Sequence, residues 1–281
     1  MRAGFTAGAR AGRNTDHVQG LAMRFLGHST VRLELAGRVV LTDPVLTGRV
    51  GPLRRTAPPV DPVDHAGVDL VLLSHLHADH LHLPSLRRLT GARVVVPRGA
   101  GEWLRRKGIR GVEELGIGEE LTDGALHVTG VEAAHSGHRW GPRSTRGPQA
   151  RAMGHLLRTG DVSVYVSGDT DLFDGMADLP RPDVALLPVW GWGPSLGPGH
   201  LDPARAAEAV ALLRPRIVVP VHWGTLALPG LTRAPGARGA AMRRLLVEPP
   251  RTFAAAVAAS GSGTHVALTE PGDRVALPVH P

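Results

Sequence analysis

His75, His77, Asp79 and His80 fall within six consecutive positions. Imidazole nitrogen suits zinc and carboxylate oxygen is a harder donor, so this mixture of residue types is suited to holding cations. In an extended turn alternate residues point the same way. His75 and His77 can therefore share one ion, while Asp79 and His80 can face a second close by. Each ion needs further donors from elsewhere in the chain. His135, Asp169 and His222 are the candidates, because each stands just past the end of a predicted strand.

The strands that must deliver these residues are of two kinds. Residues 70–73, 184–187 and 217–219 are continuous apolar runs, as expected of strands covered on both faces. Residues 31–35 and 126–129 alternate apolar and polar side chains, and 162–166 alternate more weakly. Four of these segments run into His75, His135, Asp169 and His222, and the carboxyl ends of strands are where open α/β sheets place their sites. Helices are predicted over 84–89 and 102–107. Another begins at the N-cap Asp202, with Pro203 at its first position and Ala206, Val210 and Leu213 on one face. A late helix over 252–258 precedes two short strands, 265–268 and 274–277. The stretches 136–150 and 225–239, rich in Gly, Pro and Arg, read as loops. Strands alternating with helices give an α/β fold, read as one domain over 23–281. Residues 1–22 read as a disordered leader, with Met23 a candidate natural start.

Composition narrows the chemistry further. The 281 residues carry a formal net charge of +7, almost all of the basic charge being arginine. There is no cysteine, which excludes disulfides and thiolate ligands. No apolar run reaches membrane-spanning length, and a cytoplasmic location is expected. The charge favours a small anionic substrate. Without an aromatic-interleaved basic stripe, nucleic acid is not the expected partner.

His75-Leu76-His77-Ala78-Asp79-His80 resembles the signature of the metallo-β-lactamase superfamily. Gly27-His28-Ser29-Thr30, Thr42-Asp43-Pro44, Ala134-His135-Ser136-Gly137, Gly168-Asp169-Thr170, His200-Leu201-Asp202-Pro203 and Val221-His222-Trp223-Gly224 follow in that family's order. Together they are most similar to the branch holding ascorbate-6-phosphate lactonase-like proteins and N-acyl-phosphatidylethanolamine-hydrolysing phospholipase D, over about 23–277. The resemblance implies a four-layer αββα sandwich with two mixed sheets and external helices. It implies that His75, His77 and His135 bind one metal, that Asp79, His80 and His222 bind a second, and that Asp169 bridges them. The cofactor is then two divalent ions, zinc first, with manganese or iron compatible.

The resemblance further implies a dinuclear, metal-dependent ester hydrolase whose nucleophile is a metal-bridged hydroxide, with Asp79 orienting it. His200, just before the helix N-cap, is read as a substrate contact or a proton donor to the leaving group. Trp190, Trp192 and His138 are candidate substrate contacts. The two tryptophans could equally plug the sheet edge. His28, Asp43 and His82 are read as supports of the site, and His17, His65, His127, His155, His265 and His280 as ordinary residues. The leading substrate is a phosphodiester or phosphorylated small molecule, on a loose similarity of Arg49 and residues 52–55 to the phospholipase side. The alternative is a lactone of a sugar acid. A nuclease and a non-enzymatic metal or ligand sensor rank lower.

Overall fold

The computed structural model describes residues 20–141, 146–160 and 162–277. Residues 1–19 of the expected leader lie outside these. Its last two, Leu21 and Ala22, already belong to the first strand. That corrects the expected boundary, and the reason is packing: Leu21 continues the alternation of Met23 and Phe25 into the core.

Two mixed sheets carry the fold. The first has the order β1 (Leu21–Gly27), β2 (Thr30–Leu35), β3 (Arg38–Thr42), β6 (Leu70–Leu72), β7 (Arg93–Pro97) and β8 (Val112–Leu115). Its first three strands pair antiparallel and the rest are parallel. The second runs β16 (His265–Val266), β14 (Ile217–Val221), β13 (Val184–Pro188), β12 (Val162–Val166), β11 (Met153–Thr159), β10 (Leu126–Glu132) and β9 (Glu120–Asp123). It repeats the plan, with β9 to β12 antiparallel and β12, β13, β14 and β16 parallel. A small antiparallel sheet joins β4 (Arg49–Val50), β5 (Leu53–Arg55) and β15 (Leu226–Ala227).

The main core is built from strands of both large sheets, and from α3 (Pro203–Leu213) and α6 (Pro249–Ser260). A second cluster lies under α1 (Leu83–Leu86) and α2 (Gly101–Arg106), against the outer side of β6 and β7. The result is the expected αββα sandwich. Helix α3 starts as the sequence predicts, with the Asp202 side chain accepting from the Ala204 and Arg205 amides.

The expected loop over 225–239 is a correction. It contains β15, α4 (Pro229–Arg233) and the start of α5 (Gly236–Leu245). Its prolines begin helices here, Pro229 at the first turn of α4 and Pro235 at the N-cap of α5. The last expected strand, 274–277, is reduced to an isolated bridge between Arg24 and Arg274. No described helix is long and apolar enough to cross a membrane.

Candidate metal centre

Six strand ends converge on one edge of the sandwich. β1 leads to His28, β3 to Asp43, β6 to Ser74 and His75, β10 to His135, β12 to Asp169 and β14 to His222. Three of these residues, His28, Asp43 and His222, hold positive φ without being glycine (56°, 34° and 63°). Such conformations are sparsely populated and cluster where the chain must aim a side chain. Gly168 meets the opposite need. At φ 62° it lies so close to Ser74 that an added Cβ would come within 2.4 Å of the serine Cβ.

The inner atoms fall into overlapping groups. His75, His77 and His135 form one; His28, Asp79, His80 and His222 form another; Asp169 joins His75 and His80 in a third, and His135 and His200 in a fourth. His75, His80, Asp169 and His222 make a buried floor. His77, Asp79, His135 and His200 are half-buried and form the accessible side. All seven residues expected to hold metal are thus brought together, with His200 beside them.

Hydrogen bonds behind the rings decide which nitrogen faces inward. Ser74 Oγ donates to Asp43 Oδ2 at 2.6 Å and so accepts from His75 Nδ1 at 2.9 Å. His135 Nδ1 donates to the Gly199 carbonyl and His222 Nδ1 to the Trp190 carbonyl, each at 2.6 Å. His80 Nδ1 donates to Asp43 Oδ2 at 2.8 Å. In each neutral ring the Nε2 lone pair is therefore turned into the cluster. His75 Nε2 and His135 Nε2 each lie 3.0 Å from His77 Nδ1. His80 Nε2 and His222 Nε2 are 3.2 Å apart. His222 Nε2 faces Asp169 Oδ1 at 3.3 Å, and that oxygen is buried without a hydrogen-bond partner.

Lone pairs pointed at one another and at a carboxylate repel unless a cation lies among them. In a tetrahedral zinc site with Zn–N of about 2.0–2.1 Å, neighbouring nitrogens are roughly 3.3 Å apart, close to the spacing seen here. The donor set therefore fits divalent metal.

Charge within the cluster points the same way. Burial holds His75 well below the ordinary imidazole range, with the neighbouring imidazoles adding to it. Burial likewise brings His77 to about 4 and His222 to about 3. Burial also opposes the charged form of His80, but Asp169 and Asp43 outweigh it and raise its pKa well above the usual value. The carboxylates draw positive charge to this point, a demand that a bound cation also meets. For Asp79 burial favours the neutral acid. The hydrogen bond from His28 Nε2 at 3.0 Å and the nearby imidazoles override it and keep the group well below the usual carboxylate range.

Around the cluster the expected substrate contacts fare unequally. His200 Nδ1 donates to the Gly197 carbonyl at 3.1 Å, and its Nε2 lies 3.4 Å from Asp169 Oδ2. Trp190 turns its indole to the Gly193 carbonyl, and Trp192 is 38% exposed. His138 is folded into its own loop, its Nδ1 accepting from the Trp140 amide, and it is not among the clustered residues. His82 stands at the N-cap position of α1, with Ser85 Oγ against its Nδ1 and no side-chain bond to the helix amides. Sequence reasoning missed Ser74, and it missed the carbonyls of Trp190 and Gly199. The one available signal was the position of Ser74 between a strand end and the histidine run.

The sequence model of the beta-lactamase superfamily domain matches residues 38–223. A UPF0173 metal-dependent hydrolase of Thermofilum pendens is 34% identical over 216 residues, spanning 72% of this chain and 83% of the relative. Another, of Koribacter versatilis, is 34% identical over 226 residues, spanning 78% and 90%. Among solved structures, the metallo hydrolase Igni18 of Ignicoccus hospitalis superposes with a TM-score of 0.69 at 25% identity, covering 92% of this chain and 99% of that one.

Proposed function

The chain belongs to the metallo-β-lactamase superfamily and is a metal-dependent hydrolase, and from that premise we propose a dinuclear ester hydrolase. In this reading His75, His77 and His135 hold one ion and Asp79, His80 and His222 the other, with Asp169 between them. The observation that carries it is the set of four imidazoles whose outer nitrogens are occupied and whose inner nitrogens gather around Asp169. Two divalent ions would supply an activated water and a positive clamp on the oxygens of the scissile group.

The protein's own residues do the rest. Asp79, ionised and held by His28, accepts a hydrogen bond and orients the attacking water. His200, on the accessible side, holds a proton at Nε2 beside Asp169. Burial opposes that charge, but the hydrogen bond that His200 donates to Asp169 outweighs it and raises the pKa. His200 can therefore protonate a departing alkoxide. We keep Trp190, which packs against the main core, and Trp192, 38% exposed, as candidate substrate contacts from the loop that leads to His200.

We assign a phosphodiester or phosphorylated small molecule as substrate class, because paired cations suit both the attacking and the leaving oxygen of an in-line displacement. Zinc is the first choice of metal. The test is turnover of bis(p-nitrophenyl) phosphate and of a lactone panel by metal-loaded enzyme, with elemental analysis of protein purified without added metal. Activity on lactones alone would overturn the substrate assignment, and a content of one ion per chain would overturn the dinuclear one.

A further inference from the structure

Arg139, on the loop that follows His135, is only 9% exposed. Its Nη1 donates to two carbonyls, Leu76 O at 2.6 Å and Leu81 O at 2.7 Å. These carbonyls bracket His77, Asp79 and His80. A single nitrogen thus closes the loop that carries three of the candidate ligands. Within the loop the backbone supplies only the turn from His80 N and Leu81 N to His77 O, at 3.2 and 2.8 Å. The guanidinium lies over two indole rings, 5.4 Å from the centroid of Trp103 on α2 and 5.6 Å from that of Trp140. Its own loop is held to the segment before β11, Arg139 N donating to Pro148 O at 3.0 Å and Ala150 N to Gly137 O at 3.2 Å.

A buried cation without a carboxylate against it is costly. Burial weakens the charged form of Arg139, and Asp79 is the one acidic group that favours it. A surface arginine kept for solubility would not sit here. One nitrogen reaches both carbonyls while the flat, weakly hydrated guanidinium lies over the indoles, a position that suits a compact and strongly hydrated ammonium less well.

We propose that Arg139 is a positioning residue for the metal centre. It fixes the backbone of residues 76–81 in the shape that presents His77, Asp79 and His80, and Trp103 and Trp140 hold it in place. Through it the loop after His135 is tied to the ligand loop. The inference rests on the metal-centre reading above and adds a residue that touches neither metal nor substrate.

The experiment loads zinc into the wild-type chain, Arg139→Ala, Arg139→Lys, Trp140→Ala and the surface control Arg106→Ala, then follows zinc transfer to a chromophoric chelator. Circular dichroism and thermal melts establish folding. Arg139→Ala is expected to weaken zinc retention by about 10–100-fold. Millimolar guanidinium, able to enter the slot between the two indoles, should restore much of it, and urea at equal concentration should not. Trp140→Ala should give a smaller loss of the same kind, and Arg106→Ala none. Zinc held by Arg139→Ala as tightly as by the wild type, or lost without guanidinium rescue, overturns the inference and leaves the metal-centre reading standing. Should Arg139→Ala not fold, wild-type retention in both Arg139→Lys and Trp140→Ala overturns it instead. A wild-type chain that takes up no metal overturns both.

Discussion

Replacing His155 with leucine separates a cost of burial from every other histidine in the fold. His155 lies on β11, on the face it shares with Met153 and Leu157, both part of the main core. It is 1% exposed, and neither ring nitrogen has a hydrogen-bond partner. Burial lowers its pKa from 6.5 to about 4, with Asp43 pulling weakly the other way. Above pH 6.5 the ring is neutral folded or unfolded. As the pH falls from 6.5 towards 4, the unfolded chain takes up a proton that the folded chain refuses, so stability present at neutral pH is progressively lost. The full gap is worth about 3 kcal/mol at pH 4, and about 2 kcal/mol of it is spent by pH 5. Leucine has similar volume, does not titrate and leaves no unpaired nitrogen. The variant should match or exceed the wild type at pH 7.5, and its loss between pH 7.5 and 5 should be smaller by about 2 kcal/mol. Urea unfolding of both metal-loaded proteins at each pH measures this, and the other histidines cancel in the difference. Equal losses, or a cost of several kcal/mol for leucine at pH 7.5, would show that His155 is paired and refute the reasoning.

Three further outcomes bear on the site. Asp79→Asn should lose most turnover on bis(p-nitrophenyl) phosphate together with metal content, because the amide removes the anionic oxygen that His28 holds in place; near-normal turnover would show the second cation position to be dispensable. His200→Ala should keep its metal by elemental analysis while kcat falls by about 10²–10⁴-fold, and full turnover would remove His200 from the chemistry. Ser74→Ala breaks the link between Asp43 and His75 and should weaken metal affinity by about 10–100-fold in chelator competition, with little change in the far-ultraviolet spectrum.

The candidate ligands were legible because their chemistry limits them to a few residue types and their geometry limits them to strand ends. His75, Asp169 and His222 each follow a hydrophobic strand that can be read from its pattern. The N-cap Asp202 was legible for the same reason, a local side-chain bond at a fixed offset. The short strands β4, β5 and β15 were not, since segments of two or three residues carry no periodicity, and the helices α4 and α5 were hidden by glycine and proline that ordinarily mark loops. The repeated plan of the two sheets is a matter of pairing, which no residue spacing in this chain announces.

What supports the ligands is a different kind of object. Two of the four groups that turn the imidazoles inward are main-chain carbonyls, those of Trp190 and Gly199, and two more carbonyls receive Arg139. A carbonyl has no residue identity, so no reading of side chains can find it. It leaves a trace only where it needs an unusual backbone. Gly199 holds φ 77°, and a Cβ there would come within 3.0 Å of both the Ala134 carbonyl and His135 Nδ1. Trp190 leaves no such trace in its backbone, although its indole marks the loop. The sequence therefore specifies what the centre can bind, whereas the shape that makes those donors converge is written in backbone contacts formed only once the strands from β10 to β14 are paired in one sheet.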